Sequence, residues 1–140
     1  MKIIFFFAFF SIFLSGCQFI PLFSPIVTGI IIWKDGQANK YYEMDTLVMQ
    51  RCVKNSLNDL EIRITKIQTT KNGYYIQAES NDKFYIKIEG VKKNITNVAI
   101  RINTFGNKSY TELLYHKIDD NVSVVYYNQN GMPVKQGLQR

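Results

Sequence analysis

The chain has 140 residues, with 17 lysines and arginines against 11 aspartates and glutamates, and a formal net charge of +6. Hydrophobic residues make up 46% and charged residues 20%, a composition that excludes an intrinsically disordered chain. That length supports one modest core and excludes two.

No charge occurs between Lys2 and Lys34. The basic start, an apolar stretch from Ile3 to about Leu14 and the small residues Ser15 and Gly16 make a secretory signal peptide over residues 1–16. Leu14-Ser15-Gly16-Cys17 resembles the lipobox of bacterial lipoproteins. The resemblance implies recognition through Leu14, Ser15 and Gly16, diacylglycerol on the Cys17 thiol, cleavage before Cys17 and acylation of the new amine. Each buried CH2 is worth roughly 0.8 kcal/mol, so two or three acyl chains hold a protein firmly where one does so marginally. A rival reading is an uncleaved transmembrane anchor, since about 20 apolar residues span a bilayer. Gln18, Pro21 and Pro25 interrupt the run and count against it.

Residues 17–29 read as a lipidated, extended tether punctuated by Pro21, Pro25 and Gly29. The folded unit is expected over 30–121. Ile30 to Trp33 reads as a first strand, with Asp35-Gly36 a turn and the strand continuing through Tyr41-Tyr42. Asp45 is a suitable N-cap for a helix over about 46–59, with Met49, Cys52, Val53, Leu57 and Leu60 on its apolar stripe. Four strands with period-2 alternation follow. In the first, Ile67 falls out of phase with Ile62 and Ile64, which predicts a bulge near Thr65-Lys66. Asn72-Gly73 predicts a hairpin, and Asn81-Asp82 a turn. A second helix begins after Thr104-Phe105-Gly106-Asn107, capped by a Ser109-x-x-Glu112 box or by Asn107, with Tyr110, Leu113, Leu114 and Ile118 as its stripe. Gly106 is expected at positive φ and Phe105 as a plug in the core. Residues 122–140 read as a C-terminal extension, with a strand over Val122 to Tyr127 and a mobile polar tail from Asn130. The expected fold is a two-layer α+β domain. Two helices cover one face of an antiparallel sheet of about five strands, in the order β-α-β-β-β-β-α.

Four pieces together resemble a family of small Gram-negative lipoproteins of unknown function, over about residues 14–120. They are the lipobox, the Gly-containing tether, Trp33-Lys34-Asp35-Gly36 leading through Tyr42 to Asp45, and the run Val98 to Asn107. The resemblance implies a small tethered α+β domain and carries no catalytic or binding residues to this chain.

The chemistry of a hydrolase or metal enzyme is not visible. His116 is the single histidine, which excludes an HExxH zinc site. Nothing in the pattern gathers His116, Asp119 and Ser109 or Ser123 into a triad, and no GxSxG elbow occurs. Glu79, Asp82 and Glu89 fall on solvated strand positions or in a turn, where desolvation would not tune an acid and base pair. No cofactor is expected beyond the lipid on Cys17. With Cys17 so used, Cys52 has no intramolecular partner and reads as a buried structural thiol.

The solvated sheet face presents Tyr75, Gln77, Tyr85, Lys87 and Arg101. Tyr and Arg are favoured interface anchors, so Tyr75, Tyr85, Lys87 and Arg101 are the candidate partner face. A basic chain suggests nucleic acid, but export makes that partner unexpected. An envelope protein, an anionic glycan or anionic lipid fits better, with the membrane itself engaged through the lipid. Function is therefore expected to be that of a non-enzymatic adaptor or accessory. The alternative is a carrier of lipid or another small ligand, with a cavity lined by Phe84, Ile86, Ile100 and Leu114. Gln18 stands where an Asp resembles an inner-membrane retention signal. Its place there implies the outer membrane, with the domain in the periplasm or, if flipped outward, at the surface.

Overall fold

The computed structural model describes residues 29–129. The expected signal peptide and lipidation site, Cys17, most of the expected tether and the expected tail from Asn130 lie outside the described residues. The elements are β1 (Ile32–Lys34), β2 (Gln37–Tyr42), α1 (Thr46–Asp59), β3 (Arg63–Thr70), β4 (Gly73–Glu79), β5 (Lys83–Lys92), β6 (Ile95–Ile102) and α2 (Lys108–Gln129).

All six strands join one antiparallel sheet in the order β1-β2-β6-β5-β4-β3. The fold is thus α+β with two helices, as expected, but with one strand more. Asp35 and Gly36, at φ 52° and 73°, turn the chain back on itself, so the first expected strand is a β1–β2 hairpin. The predicted bulge is present, with the β3–β4 register shifting between Ile64 and Lys66. The Asn72-Gly73 hairpin is present too, with Thr70 opposite Gly73. Gly73 is needed there because a Cβ would collide with the backbone carbonyl of Ile88 on β5.

Alternation sends Ala38 and Tyr42 (β2), Ile76 and Ala78 (β4), Phe84, Ile86 and Ile88 (β5), and Val98, Ile100 and Ile102 (β6) to the helix-covered face. Helix α1 starts on Asp45, whose carboxylate accepts from Leu47 N at 2.8 Å, and it buries Met49, Cys52, Val53 and Leu57. Helix α2 is capped by Asn107, whose side chain accepts from Tyr110 N at 3.1 Å while its carbonyl accepts from Thr111 N at 2.9 Å. Ser109 lies inside the helix instead of capping it.

Three local expectations are corrected. Phe105 does not plug the core: it is 91% exposed, because the tight Gly36–Gly106 contact turns the loop outward. Leu113 leaves the buried stripe at 50% exposure. The stripe runs instead through Thr111, Leu114, Tyr115, Ile118 and Val122. Residues 122–127 form no strand but continue α2 to Gln129. Their β-branched composition is overridden by packing against α1, where Asn121 Nδ2 donates to Ser56 Oγ at 2.9 Å. Among the described residues no helix is long and apolar enough to cross a membrane.

Candidate partner face

The face of the sheet away from the helices carries the side chains that the register sends outward. Two neighbouring rungs hold the four expected residues. Arg101, Tyr85, Gln77 and Lys66 lie opposite one another across β6, β5, β4 and β3. Asn39, Ala99, Lys87, Tyr75 and Gln68 make the next rung, from β2 to β3. Tyr75, Tyr85, Lys87 and Arg101 are therefore one contiguous group, held by strands whose other faces are buried core.

The Arg101 guanidinium lies 5.3 Å from the Tyr85 ring centroid, a contact worth about 0.5–1 kcal/mol at an exposed site. Gln77 Nε2 donates to Tyr75 Oη at 3.4 Å, and Asn97 Nδ2 to Asn39 Oδ1 at 3.2 Å. Lys87 Nζ stands 2.8 Å from Glu89 Oε1. Both partners of that pair are partly exposed, so it contributes at most about 1 kcal/mol. The side chains of this face are thus oriented by one another, with both tyrosine rings half-buried.

A second cluster was not foreseen from the sequence. Lys40, Tyr42, Tyr115 and Asp119 meet between β2 and α2. Lys40 Nζ is 2.6 Å from Asp119 Oδ2, and Tyr42 Oη donates to Asp119 Oδ1 at 2.9 Å. Tyr115 Oη lies 2.9 Å from the Ala38 carbonyl and 2.7 Å from that of Val98, so its proton serves both. Burial first, then the Asp119 charge, push both phenols far above their ordinary range. Ile31, Glu112 and His116 border a depression of about 160 Å³ above the cluster. The signal in the sequence was Lys40 itself, in phase with Ala38 and Tyr42 on an apolar strand face. Lys40, Tyr42, Tyr115 and Asp119 each have a partner within the fold, which makes the cluster a fastener between helix and sheet.

The remaining candidates lie around Asp119 on α2, in a turn or in the core. His116 is exposed on α2, and Ser123 Oγ donates to the Asp119 backbone carbonyl at 2.9 Å. Cys52 is a buried free thiol, with burial pushing it up to about 11. Asp82 accepts from Asn103 Nδ2 at 2.6 Å in a turn. Among the described residues no group of three His, Cys, Asp or Glu could hold a metal ion. Phe84, Ile86, Ile100 and Leu114, the expected lining of a carrier cavity, are each 0% exposed within the contiguous core.

Fold and face together define a small two-layer α+β domain with one solvated sheet surface. The chain belongs to the family described as proteins of unknown function, DUF3568, whose pattern matches residues 1–121. That span ends inside α2. No curated protein matches the chain.

Proposed function

We propose that the protein is a lipid-anchored lipoprotein of the bacterial envelope, a non-enzymatic adaptor or accessory that binds a partner through its open sheet face. The observation that carries the partner face is the adjacency of the Arg101–Tyr85 and Lys87–Tyr75 pairs on neighbouring rungs. Support for the anchor is the sequence Leu14-Ser15-Gly16-Cys17 behind an uncharged apolar stretch. Gln18 favours the outer membrane, with the domain on the periplasmic side.

N-terminal mass spectrometry tests the anchor. A diacylglyceryl-Cys17 terminus is expected, and an intact Met1 would sink it. Cys17→Ala should leave the chain uncleaved at that point, and Gln18→Asp should shift it to the inner membrane on a density gradient. Crosslinking in intact cells tests the face. A partner captured by the wild type should be lost on changing Tyr75, Tyr85 and Arg101 to Ala together, while its retention would remove that face from the proposal.

A further inference from the structure

We infer that the open sheet face is a binding surface for an acidic glycan, an extended saccharide chain bearing carboxylate or other anionic groups. The inference rests on the adaptor reading of that face and names the chemistry of its partner.

Charge is the first argument. The register places Lys34, Arg63, Lys66, Lys83, Lys87 and Arg101 on this face, against the carboxylates Glu79 and Glu89. Among the described residues, Lys87 is the one of these cations with a carboxylate within ion-pair distance. The others are exposed, with charge available for an anionic group from outside.

Amide content is the second. Gln37, Asn39, Gln68, Gln77 and Asn97 share the face, at register positions facing Lys34, Ala99, Tyr75, Tyr85 and Glu89. An amide offers two donors and an acceptor in one plane, the complement of neighbouring sugar hydroxyls. Tyr75 and Tyr85 add flat apolar rings with a polar tip, suited to the C–H side of a sugar. A depression of about 230 Å³ lies beside Tyr85, bordered by Gln77, Glu79 and Lys83.

The middle of the face argues against two other occupants. A protein interface concentrates its energy in a desolvated centre, but here the two tyrosines are ringed by charged and amide side chains, and Ala99, between Asn39 and Lys87, offers little to bury. A membrane-lying surface needs an apolar band, and the exposed Ile32 sits at the β1 edge. Six strands spaced at about 4.8 Å make an open surface roughly 24 Å across, which fits a chain more than a single small molecule.

Affinity electrophoresis of the full lipidated chain in detergent micelles tests this. Polygalacturonate in the gel should retard the protein, less so as salt rises, and neutral dextran should not. Tyr75→Ala with Tyr85→Ala should weaken the retardation about tenfold, as should Lys66→Ala with Arg101→Ala. Unchanged thermal midpoints would show that the variants still fold. No retardation by polygalacturonate overturns the inference. So does equal retardation by polyglutamate with no effect of the tyrosine changes, which would mean charge alone, and so does loss of binding to polygalacturonate in favour of phosphatidylglycerol vesicles. Crosslinking of a protein to this face without polygalacturonate binding would remove the glycan and leave the adaptor reading standing. Failure of both would remove the face.

Discussion

Lys40 and Asp119 are 79 residues apart in sequence and 2.6 Å apart in space, with the lysine side chain 6% exposed. The same carboxylate accepts from Tyr42, so one residue of α2 satisfies two buried groups of β2. Removing it strands an ammonium and a hydroxyl. Asp119→Ala is expected to cost about 3–5 kcal/mol in urea denaturation. Lys40→Met with Asp119→Leu should cost much less, because no charge stays buried. A loss below about 1 kcal/mol for the single change would mean the pair behaves as a surface contact.

The turn at Gly36 and the loop at Gly106 lock together through backbone. A Cβ on Gly106 would meet the Gly36 carbonyl oxygen at 2.6 Å, and one on Gly36 the Phe105 carbonyl oxygen at 2.9 Å, both at positive φ. Gly36→Ala and Gly106→Ala should each lower stability by about 1–3 kcal/mol. Phe105→Ser, though it removes a far larger side chain, should stay within about 0.5 kcal/mol. The thermal midpoints of the three variants check the order, and a large loss for Phe105→Ser would overturn the account of that loop.

Val122 and Val124 would share a face in a strand and are parted by the helix. Val122 is 1% exposed and Val124 45%. Val122→Asp should therefore destabilise by more than about 2 kcal/mol by burying a charge, while Val124→Asp should be close to neutral. Equal effects would restore the strand.

Alkali should loosen the fold. Burial pushes Cys52 up to about 11 and raises Tyr42 and Tyr115 as well. The folded state favours each neutral form. An unfolded thiol ionises near about pH 8.5, so the stability is full below that pH and falls as pH rises toward 11, where the unfolded chain has released a proton that the folded one keeps. The urea midpoint should be level around neutrality and drop over that window. Cys52→Ala should remove the thiol's share of the slope. With Cys17 acylated or replaced, a thiol reagent should reach Cys52 only on unfolding.

The layers of the fold were legible because period-2 and period-3.6 patterns report which side faces the core. Asp45, the bulge near Thr65 and the alternation from Tyr74 to Ile102 all speak locally. The open-face group was legible for the same reason, since alternation alone sends Tyr75, Tyr85, Lys87 and Arg101 outward. What stayed hidden depends on contacts between distant segments. Lys40 reads as a surface cation until Asp119 arrives beside it. Phe105 reads as core until Gly36 fills the space under its loop. Val122 to Tyr127 read as a strand until α1 supplies a helix to pack against.

The strand order also sets a sequence of assembly. β3, β4, β5 and β6 pair in series through short turns, so each can add as soon as it is made. β2 pairs locally only with β1, across the Asp35-Gly36 turn; its other partner is the distant β6, with Lys40 opposite Val98. A chain emerging N-terminus first must therefore hold its opening hairpin unpaired until nearly the whole domain has followed. Only then can β2 and β6 join the two parts of the sheet, and α2 bring Asp119 to the waiting lysine. A chain made from its N-terminus thus completes its sheet at the β2–β6 seam, after its last strand.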